Sequence, residues 1–442
     1  MSTPLLEAAN RYLDRDCSRF HMPGHKGAPL PALGAVTRYD LTEVQGLDSL
    51  YHADGPIADL ERRYSALYGT AGSLLSAGGS TLCIQAMLAL ACPPGAKLLA
   101  ARGVHTAAVN AMALLDLRPV WIYPDCDLET GLASTVSPKQ VRAAVEANPD
   151  CAAVCVTSPT LTGQISDIAA ISAICHRQGI PLLVDNAHGA HLRFLSPSLH
   201  PIGLGADLCC DSLHKTLPVL TGGALLHVGN PACLPRAKER MALFGSTSPS
   251  YPVMLSADLA LDYIASRLPG DLFAVGGRLR ELSRRARDRG FLLPAGSLDP
   301  LRLTLGFSGL GYRRGDFAGH LAHCRVEPEY LSDHLCVLMA GGGNTARDFD
   351  RLRRLIEEAR PRSPLAVPPA PPRPAPAVLT LRQAMFAQAR SLPVDSARGH
   401  IASGMVTPCP PGVPLVVGGE MLSPEIIASL KNSGILHVNV IK

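Results

Sequence analysis

From about residue 70 to residue 228, short apolar runs alternate with longer stretches of helical spacing. The runs are SLLSA from Ser73, KLLAA from Lys97, PVWIY from Pro119, AAVCVT from Ala152, PLLVD from Pro181, DLCCD from Asp207 and GALLHV from Gly223. Apolar runs this short are expected of strands buried on both faces of a sheet. Between them, SDIAAISAICHRQG from Ser166 has helical spacing, a Ser-Asp start and an end at Gly179, all helix punctuation. Strands that alternate with helices predict a mostly parallel, buried sheet. Ligands of such sheets bind beyond the carboxyl ends of the strands, so the residues just after each run are the ones to inspect.

After about residue 270 the pattern changes. A charged helix from Arg278 to Arg289 leads to the strand candidates LRLTLGF and HLCVLMA, and a second charged helix follows in ARDFDRLRRLIEEARP. This predicts a smaller α+β domain. SPLAVPPAPPRPAPAV is then rich in Pro and Ala, as a stiff linker or a wall draped over the fold would be. A tail from about Leu379 closes the chain. The expected division is residues 1–270 for the N-terminal segment and large domain, 271–363 for the small domain, and 364–442 for the linker and tail.

Composition narrows the class. The 442 residues are 47% apolar and only 18% charged, the balance of a compact globular enzyme. The net charge of +4 is spread along the chain. The arginines of RLRELSRRARDR line one solvated helix face, which argues against nucleic-acid binding. No segment reaches the roughly 20 continuous apolar residues of a membrane span, and the acidic N-terminus does not resemble a signal peptide. A cytoplasmic location is expected, with the thirteen cysteines reduced: their number is odd and none forms C-x-x-C.

Candidate chemistry lies beyond the strands. After SLLSA, the sequence AGGSTLCIQAM opens a helix on two glycines, Ser80 and Thr81, either a tight turn with a cap or an anion cradle. After PLLVD, Asp185 ends a buried strand, where a carboxylate needs a partner or serves as a cap. His188 and His191 follow it, as His21 and His25 lie near the N-terminus, but the Gly and Pro inside these spacings argue against a metal site. His-Lys occurs twice. Lys26 sits in a Pro-Gly loop before the sheet begins, whereas Lys215 follows the DLCCD strand end beside Ser212 and His214. A phosphate cradle, a strand-end Asp and a strand-end Lys together resemble the site of a pyridoxal-phosphate enzyme of the aspartate-aminotransferase-like fold. There the lysine amine forms a Schiff base with the cofactor aldehyde and the Asp keeps the pyridine nitrogen protonated.

Longer motifs carry a closer resemblance. FHMPGHKG, DLTEVQGLDSLYHADGPI from Asp40, VDNAHGAHL, SLHKTLP, GSTSPSYPVM from Gly245 and CPPGVP from Cys409 resemble, in order, motifs of the Orn/Lys/Arg decarboxylase family in its short bacterial form. The resemblance implies a three-layer α/β/α large domain with a mostly parallel seven-stranded sheet, plus smaller α+β C-terminal domains. It implies that Lys215 carries pyridoxal 5'-phosphate, that Asp185 pairs with the pyridine nitrogen, and that His105 stacks on the ring. Ser80, Thr81, Ser212 and His214 would hold the phosphate, with His188 near the cofactor. Family sites lie at a homodimer interface, so the loops around His25 and Ser248 would serve the partner subunit's site. The implied reaction removes the α-carboxylate of a basic amino acid, arginine first, then lysine or ornithine. Acidic candidates for the substrate's cationic end are Glu43, Asp48, Asp54 and Glu327, each also readable as a helix cap or structural acceptor.

Some positions depart from the family pattern. T-x-P-T-Y-x-G reads TSPTLTG, with Leu161 in the Tyr place; D-E-A-H reads DNAH, with Asn186; and the tail has Gly404, Cys409 and Gly418 where the family has other residues. These changes leave the cofactor motif intact and alter positions that read the substrate. Other chemistry on the same cofactor (transamination, aldol cleavage or β-elimination) and a non-catalytic regulator of a decarboxylase are the competing readings.

Overall fold

The computed structural model describes residues 17–20, 48–127, 130–131, 133–366, 373–374, 376–407 and 414–442. His21, His25, Lys26, Glu43 and Cys409 lie outside the described residues. The strands, in chain order, begin with the short β1 (Ser18–Phe20). The seven runs singled out above then become β2 (Gly72–Ser76), β3 (Lys97–Ala101), β4 (Arg118–Ile122), β5 (Ala153–Thr157), β6 (Leu182–Asp185), β7 (Leu208–Asp211) and β8 (Ala224–Val228). They form one sheet in the order β2-β8-β7-β6-β5-β3-β4. Only β8 runs against the rest. Helices on both faces complete three layers. Burial from both sides is why the strands carry no polar alternation: β2, β6, β7 and β8 are buried at every position.

The helix Ile168–Arg177 starts where its sequence says it should, with the Asp167 side chain accepting from Ala170 N. Its arrest is equally local, since Gly179 has φ +68°. The arginine-rich helix is longer than its charge pattern, Leu268–Asp288. Its arginines do face solvent, where Arg285 pairs with Glu281 and Glu357.

A smaller unit follows, built on β9 (Arg302–Gly306), β10 (Val326–Pro328), β11 (Tyr330–Leu331) and β12 (Leu335–Met339). β12 pairs antiparallel with both β9 and β11, and β10 pairs with β1 from the start of the chain. Phe20 and the helix Pro56–Tyr68 share the apolar core of this unit with the helices Leu268–Asp288 and Ala346–Glu357. The tail closes as β13 (Ala389–Pro393) against β14 (His437–Ile441), over a core of Val394, Leu422, Ile426, Leu430 and Val440. Among the described residues, no helix is long and apolar enough to cross a membrane.

Candidate active site

The parallel strands end along one edge of the sheet, and the candidate side chains gather there. β6 delivers Asp185 as its last residue. β7 ends at Asp211, and the next residues, Ser212 and the short helix Leu213–Thr216, present His214 and Lys215. Beyond β3, His105 caps the helix Thr106–Leu114, its Nδ1 accepting from Ala107 N at 3.1 Å. Beyond β2, the helix Gly79–Ala91 opens with Gly79 at φ +69° and Ser80 next. A cavity of about 480 Å³ lies over these ends, lined among others by Ser80, His105, Asp185, His188, Lys215 and Glu329.

The polar geometry is specific. Lys215 Nζ lies 3.0 Å from His188 Nε2. Asp185 is 3% exposed. Its Oδ1 accepts from Ala187 N at 3.1 Å and from Cys210 Sγ at 3.5 Å. Among the described residues no group bonds its Oδ2. Ser212 Oγ donates to Ser80 Oγ at 2.8 Å, joining two hydroxyls at the start of a helix whose first amides have no intrahelical partner. His214 Nδ1 donates to Gly223 O at 3.0 Å.

Burial sets the charges. It lowers the Lys215 amine below the usual lysine range; Asp185 and Glu329 oppose the shift and Arg302 reinforces it. Burial, with Lys215 and Arg302 beside it, holds His188 well below the ordinary histidine value. His105 is lowered by burial in the same way. Both rings are therefore neutral near pH 7.

Not every sequence candidate reaches the cavity. Thr81 is exposed although its neighbour Ser80 lines the wall. Ser248 is exposed on a loop, its N–H bonded to Ser246 Oγ. The carboxylate of Asp48 accepts from the amides of Gly55, Ile57 and Ala58 at the start of the helix Pro56–Tyr68. Asp54 and Glu327 do not line the cavity either, whereas Glu329, two residues beyond Glu327, does. Three further groups escaped the sequence reading. Met405 and Thr407 bring the tail into the cavity wall. Arg302, inside the run LRLTLGF, reaches His188 Nδ1 at 3.3 Å through Nη1. A charged residue inside an apolar run was the available signal.

Comparison with known proteins places the chain in a family. Residues 3–281 match the major domain of the Orn/Lys/Arg decarboxylases, and residues 372–432 match the C-terminal domain of the same enzymes. The chain belongs to the Orn/Lys/Arg decarboxylase family. Among its relatives, the uncharacterised protein YaaO of Bacillus subtilis is 29% identical, covering 97% of this chain and 94% of its own. An arginine decarboxylase of Halalkalibacterium halodurans is 26% identical, covering 98% of this chain and 93% of its own. Among solved structures, the constitutive lysine decarboxylase of Escherichia coli superposes with a TM-score of 0.75 at 18% identity, over 100% of this chain and 82% of that one. The chain is thus a pyridoxal-phosphate-dependent decarboxylase acting on basic amino acids.

The residues fit that cofactor. The Asp185 carboxylate oxygen that has no bonded partner among the described residues matches a protonated ring nitrogen. Ser80, Ser212 and a helix start match a phosphate. An amine depressed by burial matches an aldehyde.

Proposed function

We propose that this decarboxylase acts on arginine first, then lysine or ornithine, releasing the amine and CO2 at Lys215. The observation that carries the reading is the placement of the Lys215 amine in one cavity with the open oxygen of Asp185 and the carboxylate of Glu329. Pyridoxal phosphate, when bound, supplies an aldehyde for an amine and a ring that accepts electrons.

The chain's own residues do the rest. Lys215 is the covalent lysine. Asp185 Oδ2 would hold the ring nitrogen protonated, and Ser80, Ser212 and His214 would hold the phosphate, with Thr81 contributing its backbone amide. His105, a neutral imidazole in the cavity wall, would lie beside the cofactor ring. Glu329, in place of Glu43, Asp48, Asp54 or Glu327, pairs with the cationic end of the substrate. Leu161, Met405 and Thr407 complete the wall and exclude water, which restrains side reactions of the carbanion. The Lys215 amine, which lines the cavity, would be the group to carry a proton to the α-carbon of the substrate.

A homodimer is part of the proposal. Leu243 is 62% exposed near the Ser248 loop, a surface that a second copy would cover, with Ser248 then close to the partner's site. The division at residues 270 and 363 is retained, with the N-terminal strand β1 assigned to the small unit it pairs with.

Absorbance tests the central assignment. Lys215→Ala is expected to remove the visible absorption of lysine-bound cofactor, and Lys26→Ala to keep it. An unchanged spectrum in Lys215→Ala would sink the assignment.

A further inference from the structure

Arg302 is the first residue of β9, yet its side chain is only 1% exposed. Its guanidinium is held on three sides. Nη1 donates to Leu161 O at 3.0 Å, Nη2 to Asp299 Oδ2 at 3.4 Å, and both face His188 Nδ1, at 3.3 and 3.4 Å. Asp299 is fixed in turn by His191 Nε2 at 2.7 Å. Gly163 shapes the floor beneath: a Cβ there would meet Arg302 Cγ at 2.6 Å. These bonds turn the guanidinium onto His188, and Arg302 does not line the cavity.

The chemistry of the contact has one consistent solution. A guanidinium has only donors, so His188 Nδ1 accepts. In the neutral ring the proton then sits on Nε2, which faces Lys215 Nζ at 3.0 Å. An N–H aimed at an amine needs a lone pair, and an ammonium has none. We propose that Arg302 is a positioning residue: by donating to His188 Nδ1 it fixes the ring proton on Nε2, so that His188 donates to Lys215 and holds that lysine as the free amine that attacks the cofactor aldehyde. The inference rests on Lys215 as the cofactor-bearing lysine. In the attack, the lysine nitrogen gives its lone pair to the aldehyde carbon and forms the C=N bond. The aldehyde oxygen leaves as water with the two amine protons.

Other groups face the amine. Asp185 from β6 and Glu329 from the segment between β10 and β11 favour the protonated form, as does Cys210 of β7 once ionised. Burial and Arg302 oppose them. His105 and His188 are neutral there, so the direction of the His188 proton decides which form is hydrogen-bonded.

The test is the pH dependence of pyridoxal phosphate capture by the cofactor-free full-length protein, followed by visible absorbance. In Arg302→Met the acid limb of the capture rate is expected to move up by about one pH unit, a change of about tenfold in free amine at a given pH on the limb. Arg302→Lys, which keeps a donor for Nδ1, is expected to stay close to the unmodified protein. His188→Phe alone is expected to move the limb upward, and adding Arg302→Met to it is expected to shift the limb by less than half of its solitary effect. An unmoved limb in Arg302→Met, or the same shift in both backgrounds, overturns the relay. Should Arg302→Met not fold, an unmoved limb in His188→Phe overturns it as well. Lys215→Ala separates the two layers: if it still develops the absorbance, the lysine assignment fails and the relay with it. If it does not, only the Arg302 and His188 variants judge the relay.

Discussion

Asp185 and Asp211 end neighbouring strands and have opposite surroundings. Asp211 is fully buried and accepts from Asn186 Nδ2 at 2.6 Å and from His200 and His227 Nε2 at 3.1 Å each. Burial pushes its carboxyl up, but the two histidines outweigh that and hold it below the usual range. Asp185 instead keeps an oxygen for the cavity. Asp185→Ala is therefore expected to lower turnover by about 100-fold or more with cofactor still bound, as steady-state rates on spectrally verified holoenzyme would show. Near-normal turnover would remove it as the pyridine partner. The same pair explains a departure from the family pattern: a carboxylate at Asn186 would sit against Asp211, with nothing cationic added. Asn186→Asp is expected to destabilise the protein by about 3 kcal/mol in urea unfolding, and an unchanged midpoint would contradict this. The positions of Asp185 and Lys215 were legible in the sequence because Asp185 ends one apolar run and Lys215 closely follows the end of the next, at Asp211. The Asp211 pairing was not, because His200 and His227 reach it from other segments.

At the scale of elements, local signals carried most of the reading. All seven apolar runs form the sheet, and Asp167 and Gly179 bound their helix as their chemistry requires. Asp48 shows the limit of such reading. It was a candidate substrate anchor that read more readily as a cap or structural acceptor, and the fold decides for the cap by bringing its carboxylate to the amides of Gly55, Ile57 and Ala58. Asp48→Asn is expected to lower stability by about 1–2 kcal/mol while leaving KM for the amino acid unchanged. A raised KM with unaltered melting would return Asp48 to the substrate site. Glu329→Gln is expected to behave oppositely, raising KM for a basic amino acid about tenfold or more without altering melting. An unaltered KM would remove Glu329 as the anchor. Glu329 was missed for a related reason: it lies in a short irregular strand region where no periodicity marks which side chain faces the cavity.

Across the whole molecule, the tail is joined to the large sheet by a buried bidentate pair. Arg102 donates to both Glu420 oxygens at 2.7 and 2.8 Å and to Pro414 O at 3.1 Å, beneath the Trp121 ring. The Arg102 side chain is 0% exposed, so removing one partner leaves an uncompensated charge. Glu420→Gln is expected to destabilise by about 3–5 kcal/mol and to open the tail to protease; unchanged proteolysis would contradict the latch. Acid is expected to act on the whole fold. Burial keeps His105, His188, His214 and His227 below the ordinary histidine value. The unfolded chain binds those protons below a pH of about 6.5 and the folded one does not, so stability falls as pH drops through that region. A urea midpoint unchanged between neutral and mildly acidic buffer would refute it. The most direct measurement of the account as a whole is product analysis of the cofactor-loaded protein given arginine, lysine or ornithine separately. The matching amine and CO2 are expected in equal amounts, with arginine the best substrate and neither product from Lys215→Ala. A keto acid in place of the amine, or no amine from any of the three while the lysine-bound cofactor spectrum is present, would contradict it.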